Sequence, residues 1–274
     1  MADTVRTTTS IDEVLQNAVS RGDVPGVVAM AANQDGPIYE GAAGVRSVDA
    51  DDPISADTML RIASMTKMVT TTAALQLVEQ GSLDLDEAVA KYRPEFAELQ
   101  VLEGFDGDTP KLRAPASQAT VRHLVTHTSG LGYWFFNADI DRYEQVTGLP
   151  NVLPGSNEMF KAPLVADPGD RLEYGINTDW LGRVVEAISG QSLADYFDEH
   201  ITGPLGMTNT TRRMSDEQRA NSTPIHVRGE DGAWIATDVD WAYGEGELVR
   251  APIQSHLLTL TGRQVTSRAS ADNR

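Results

Sequence analysis

Cysteine is absent from this chain of 274 residues. That excludes a disulfide framework and any thiolate metal site. No apolar run reaches the roughly eighteen residues a membrane-spanning helix needs. Basic residues are few: Lys and Arg total 22 against 40 Asp and Glu, for a net charge of −18. A surface of that sign repels phosphate backbones and anionic headgroups, so neither nucleic acid nor membrane is expected as a partner. The opening stretch, Met1-Ala2-Asp3-Thr4-Val5-Arg6-Thr7-Thr8, lacks the apolar core of a secretory leader, and a cytoplasmic protein is expected. No glycine pattern reads as a phosphate loop. Lysine is scarcest of the charged residues: Lys67, Lys91, Lys111 and Lys161 are the whole set.

One of those four lysines falls in Ser64-Met65-Thr66-Lys67, just before a helical run that closes at Gly81. A serine and a lysine three apart project from one helix face, so the ammonium can sit beside the hydroxyl. A free hydroxyl is a poor nucleophile, and a nearby base activates it. A serine that opens a helix also lies over the positive end of the macrodipole, which favours an oxyanion on the carbonyl it attacks. The S-x-x-K spacing is the nucleophile motif of penicillin-binding proteins and class A β-lactamases. Alone it is common by chance, and its context decides.

Other punctuation organises the chain. Ser10-Ile11-Asp12-Glu13 reads as a capping box opening a helix with Ile11, Val14, Leu15, Ala18 and Val19 on one stripe. Residues 26–31 and 37–41 read as two strands joined through Asp35-Gly36. From about 82 to 215 the pattern reads as mostly helix and loop, with an amphipathic run from Trp180 to Ile188 before Gly190 and a short helix capped by Ser192. His123 and His127 stand four apart, yet no acidic residue completes a zinc-binding H-E-x-x-H, and a structural loop histidine is expected. Tyr133-Trp134-Phe135-Phe136 either lines an acyl pocket or packs a helical lobe; the sequence leaves both open.

Four ordered segments carry a resemblance. Arg61 to Lys67 followed by Ala74 to Gly81 is similar to the nucleophile helix of the β-lactamase-related serine hydrolases. Val121 to Leu131 resembles their "HLLTHTSGL" signature. Pro168-Gly169-Asp170-Arg171-Leu172-Glu173-Tyr174-Gly175-Ile176-Asn177 resembles the segment bearing their catalytic tyrosine, and Gly203-Pro204-Leu205-Gly206-Met207 resembles their "PLGM" turn. The resemblance covers roughly residues 11 to 246 and is nearest to the family VIII carboxylesterases. It implies an α/β (α+β) fold: an antiparallel sheet flanked by helices plus a mainly helical lobe, with the active site between them. The implied divisions are 1–85 (sheet lobe with nucleophile helix), 86–215 (helical lobe), 216–247 (return to the sheet lobe) and 248–274 (atypical tail). The implied roles are Ser64 as nucleophile, with Lys67 and Tyr174 moving protons and no cofactor or metal. Tyr133, Trp134, Phe135 and Asn177 are expected at the substrate.

Two departures shape the functional expectation. β-Lactam-hydrolysing members place asparagine two residues after the tyrosine; here that position is Ile176, with Asn177 one later. This favours ester over β-lactam substrates. Family members also continue into strands carrying a third motif and a second oxyanion donor. After Glu247 this chain has four arginines and a single acid, Asp272, so a truncated or substituted terminus with weakened activity is expected. The expected function is hydrolysis of small-molecule, short-chain carboxylic esters through an acyl-enzyme. A β-lactamase or D-alanyl-D-alanine carboxypeptidase, or an inactive fragment or binding module, are the alternatives.

Overall fold

The computed structural model describes residues 2–153, 155–212, 214–237 and 259–260. Apart from 259–260, the tail at 248–274 lies outside the described residues, as does any third motif within it. In chain order the elements are α1 (Ala2–Ser20), β1 (Gly26–Asn33), β2 (Gly36–Gly44), β3 (Leu60–Arg61), α2 (Thr66–Glu79), α3 (Val89–Tyr92), β4 (Val101–Asp106), β5 (Thr109–Arg113), α4 (Val121–Val125), α5 (Ala138–Thr147), α6 (Asn177–Ser189), α7 (Leu193–Phe197), α8 (Asp216–Ala220), β6 (Ile225–Arg228), β7 (Trp234–Thr237) and β8 (Thr259–Leu260). They divide into two units. Residues 2–62 group with 202–237 and 259–260, and Ala63–Ile201 forms the other.

In the first unit, α1 begins at Ala2, well before the capping box read at Ser10. Extending a helix past an existing nucleus costs little, so an internal cap signal need not be its start. Gly22, at φ 72°, ends it, with the Gly22 and Asp23 amides donating to the Val19 and Ala18 carbonyls. β1 and β2 form the expected antiparallel hairpin, turning through Gln34-Asp35, with a register slip at Ala31/Ala32. The Tyr39 hydroxyl of β2 donates to Asp12 of α1 at 2.7 Å. Burial and that carboxylate push the phenol up to about 12. β6 pairs antiparallel with β7, and β3 with β8. Arg228 and the Trp234 indole both donate to the Gly22 carbonyl, at 2.7 and 3.0 Å, tying this hairpin to the end of α1.

The second unit is built around α6, whose first nine residues hold eight buried side-chain positions: Asn177 to Gly182, Val184 and Val185. Trp180 sits edge-on between Phe96 and Phe160, with ring centroids 4.8 and 5.0 Å away. α2 turns Thr66, Thr70, Ala73, Ala74 and Leu77 inward. That spacing is one helical stripe, and its small side chains allow close contact with α6. Gly81 and Gly190, both in the left-handed region, stop α2 and α6 where the sequence places the stops. Ser192 caps α7 through the Asp195 amide. One element corrects the sequence reading. Within the stretch expected to be helix and loop, β4 and β5 form an antiparallel hairpin turning at Gly107-Asp108. A register shift between Leu102 and Gly104 breaks the alternation that would have revealed it. Among the described residues no helix is long and apolar enough to cross a membrane.

Candidate active site

The chain reaches α2 through a short 3-10 turn, Ala63–Met65, and Ser64 is the exposed centre of that turn. Ser64 therefore precedes the α-helix proper by two residues. Ala63 holds φ at 42°, a left-handed value that costs an alanine about 1–3 kcal/mol and persists only where surroundings dictate it. Nothing in the sequence signalled this strain. No side chain caps the N-terminus of the 14-residue α2, whose cap position is Met65. Its first amides and their dipole point toward the end of the helix that carries Ser64.

Lys67 lies one turn on, with 7% of its surface exposed. Its Nζ donates to Ser64 Oγ at 3.2 Å. The ammonium also meets two ring faces among the described residues, with Nζ 4.9 Å from the Tyr174 centroid and 5.4 Å from that of Tyr133. Among the described residues no carboxylate forms an ion pair with it. The cation is thus met, among the described residues, by a hydroxyl and two π-faces.

The two tyrosines differ in kind. Tyr133 is 3% exposed, and its hydroxyl donates to the buried Asp179 at 3.5 Å. Burial, first, and the Asp179 charge hold its phenol well above the ordinary value, so it keeps its proton. Its ring lies beneath the Lys67 ammonium. Tyr174 is only part-buried. Its ring stacks on His127 at 4.7 Å and meets the edges of Tyr133 at 5.7 Å and Phe136 at 5.9 Å.

The segment carrying Tyr174 is zipped onto the loop after α4. Amides of Val165, Gly169 and Glu173 each donate at 2.8 Å to the carbonyls of Gly130, Thr128 and His127. Asn177 completes the seam. Its Nδ2 donates to the Leu131 and Glu173 carbonyls, both at 3.0 Å, and its Oδ1 accepts from Ser129 at 2.6 Å. Fully buried and bonded on both ends of its amide, Asn177 braces the loop. Gly175 is required here for space. A Cβ there would sit 2.2 Å from the Leu131 carbonyl oxygen and 2.5 Å from the Gly132 carbonyl carbon.

Tyr133 is core and Trp134 is half-buried, while Phe135 is 48% and Phe136 69% exposed. Phe136, left out of the expected substrate set, is the most exposed of the four. His123 is structural: its Nδ1 accepts the Thr120 amide and completes the capping box of α4. Among the described residues no cluster of His, Asp and Glu is fit to hold a metal.

The beta-lactamase family model matches residues 11–268. Monacolin J acid methylbutanoyltransferase of Aspergillus terreus is 35% identical over 252 residues, 85% of this chain and 61% of that protein. The lovastatin esterase of Penicillium rubens is 34% identical over 259 residues, 92% of this chain and 65% of its own length. Among solved structures, simvastatin synthase from Aspergillus terreus (LovD6 mutant) superposes with a TM-score of 0.83 at 33% identity, covering 97% of this chain and 66% of that one. The chain therefore spans a little under two thirds of these relatives. With a β-lactamase/transpeptidase-like α/β fold and both esterases and acyltransferases among its relatives, the chain belongs to the beta-lactamase family of serine hydrolases and acyltransferases.

Proposed function

We propose that this chain is a serine carboxylesterase that cleaves short-chain esters of small molecules through an acyl-Ser64 intermediate. The observation that carries the reading is the 3.2 Å contact between a buried Lys67 ammonium and an exposed Ser64 hydroxyl at the head of α2. Ser64 Oγ attacks the ester carbonyl while its proton passes to Tyr174, acting as the phenolate whose charge the neighbouring Lys67 ammonium balances. The tetrahedral oxyanion forms near the N-terminal amides of α2. Collapse breaks the ester C–O bond, and the departing alkoxide takes the proton back from the pair. Water then attacks the acyl carbon, its proton follows the same route to Ser64 Oγ, and the acid leaves. Tyr174, part-buried, suits the relay better than Tyr133, whose proton is held against Asp179.

Two features favour esters over β-lactams. Ile176, where β-lactam-hydrolysing members carry asparagine, is buried and apolar. Asn177 is committed to the loop. A second reading, acyl transfer to an alcohol in place of water, draws support from the exposed Met65 and Met68 on either side of Lys67 in sequence and from Phe136 against Tyr174. Such a surface suits an apolar alcohol. The transferase names of several relatives agree with it.

The test is the initial rate of p-nitrophenyl butyrate hydrolysis, with Ser64→Ala as control and nitrocefin as comparison. Loss of at least about 10³-fold in the variant is expected, in line with deletion of a catalytic nucleophile. Added butanol distinguishes the second reading by diverting acyl groups to butyl butyrate. Equal rates in both proteins, or folded protein with no turnover, would leave the fragment or binding-module alternative standing. Turnover of nitrocefin faster than of the ester would reverse the substrate order.

A further inference from the structure

We infer that His127 is a positioning residue that fixes the plane of the Tyr174 ring over Lys67, an inference that rests on Tyr174 carrying the proton. His127 belongs to no step of the mechanism above, yet it is held at three points. Its backbone sits at φ 55°, in the left-handed region that a histidine enters only when surroundings demand it. Its carbonyl accepts the Glu173 amide at 2.8 Å, directly beside Tyr174 in the chain. Its ring shares a hydrogen bond through Nε2 with Thr178 Oγ1 at 3.3 Å, and Thr178 is buried in the first turn of α6.

The ring so fixed lies 25° from parallel with Tyr174, centroids 4.7 Å apart. Among the described residues it is the stacked partner; Tyr133 and Phe136 meet Tyr174 only edge-on, at 66° and 70°. Phe136 is largely exposed. Rotating the phenol about its own axis would break the His127 stack and carry the ring face away from the Lys67 ammonium. The chain α6–Thr178–His127–Tyr174–Lys67 thus transmits the rigidity of a buried helix to the proton relay.

The test compares two variants. His127→Asn tolerates the left-handed backbone but removes the ring; His127→Phe keeps a stacking ring and removes the bond to Thr178. Rates of p-nitrophenyl butyrate hydrolysis are normalised to the fraction of serine titrated by a fluorophosphonate. For His127→Asn we expect kcat down about 10–100-fold with KM within about threefold, the size of effect set by a misplaced catalytic group. His127→Phe, which keeps the stack but not the Thr178 bond, should recover part of that loss. Thr178→Val, which removes the same bond and leaves the imidazole in place, should match it. Wild-type kcat in His127→Asn would overturn the inference, as would His127→Phe falling equally far, which would instead give the imidazole nitrogen a chemical role. If His127→Asn does not fold, a wild-type kcat in Thr178→Val overturns it alone. Tyr174→Phe run in parallel separates the levels: full activity there refutes the relay reading itself, whereas its loss beside an active His127→Asn refutes only the positioning role.

Discussion

Adding one methyl group at Gly175 should disable the site without touching any reacting atom. The new Cβ would lie 2.2 Å from the Leu131 carbonyl oxygen, 2.5 Å from the Gly132 carbonyl carbon and 2.6 Å from the Gly132 Cα. All three are backbone atoms, so no rotamer change relieves the clash. Ordinary contact begins near 3.4 Å, and the two segments must part by about 1 Å, a displacement that costs on the order of 10²-fold in rate when it misaligns catalytic groups. That separation falls between Tyr174 on one segment and Tyr133 on the other, the two rings that hold the Lys67 ammonium. It also strains the Asn177 bond to the Leu131 carbonyl. Overpacking of this kind costs about 1–3 kcal/mol, or a fall of roughly 2–10 °C in Tm for a chain of this size. Steady-state hydrolysis of p-nitrophenyl butyrate and a thermal melt on Gly175→Ala measure both. Wild-type kcat/KM in a Gly175→Ala protein of wild-type Tm would refute the argument that this seam sets the relay geometry.

Two further outcomes follow from the same structure. Tyr133→Phe keeps the ring beneath Lys67 but deletes the hydroxyl that meets Asp179, so it should cost about 1–3 kcal/mol of stability and little kcat, whereas Tyr174→Phe should spare stability and cost kcat; denaturant melts and turnover on the pair check the order, and the reverse order would exchange the two tyrosines' roles. Glu144 is pushed up to about 7 by burial and then by the neighbouring Asp141 charge. Its ionised form is the one the fold disfavours, so stability from this site is full at pH 4 and is lost as pH rises through about 7. After discounting for solvent screening, Glu144→Gln should gain about 1–2 kcal/mol at pH 8 and nothing at pH 4. Melts at the two pH values test this, and equal Tm differences at both would show that the carboxyl is not desolvated.

The local signals in the sequence placed much of the scaffold. Gly81 and Gly190 mark helix ends because the left-handed conformation there favours a residue without Cβ. Asp35-Gly36 marks the first hairpin, and the three-residue spacing of Ser64 and Lys67 brings Nζ to 3.2 Å from Oγ across the 3-10 turn into α2. What stayed hidden depends on contacts between distant segments. The β4–β5 hairpin lacks clean alternation because of the irregularity at Gly104. Tyr133 and Phe136 stand three apart in an unbroken aromatic run, and only the tertiary seam buries one and exposes the other. Asn177 offers the polar amide a substrate contact requires, yet the Ser129 hydroxyl and two carbonyls claim it first. The strain at Ala63 has no sequence signature, since alanine is an ordinary helix former.

The central claim is that Ser64 is a nucleophile made reactive by Lys67. The most direct measurement is peptide mapping by mass spectrometry after brief exposure to a fluorophosphonate, on the wild-type protein, Ser64→Ala and Lys67→Ala. One adduct is expected, on the peptide bearing Ser64, absent from Ser64→Ala and formed at least about 10²-fold more slowly in Lys67→Ala, where the Tyr174 base has lost its paired cation. An adduct on another residue, or labelling of Ser64 at the wild-type rate without Lys67, would contradict it.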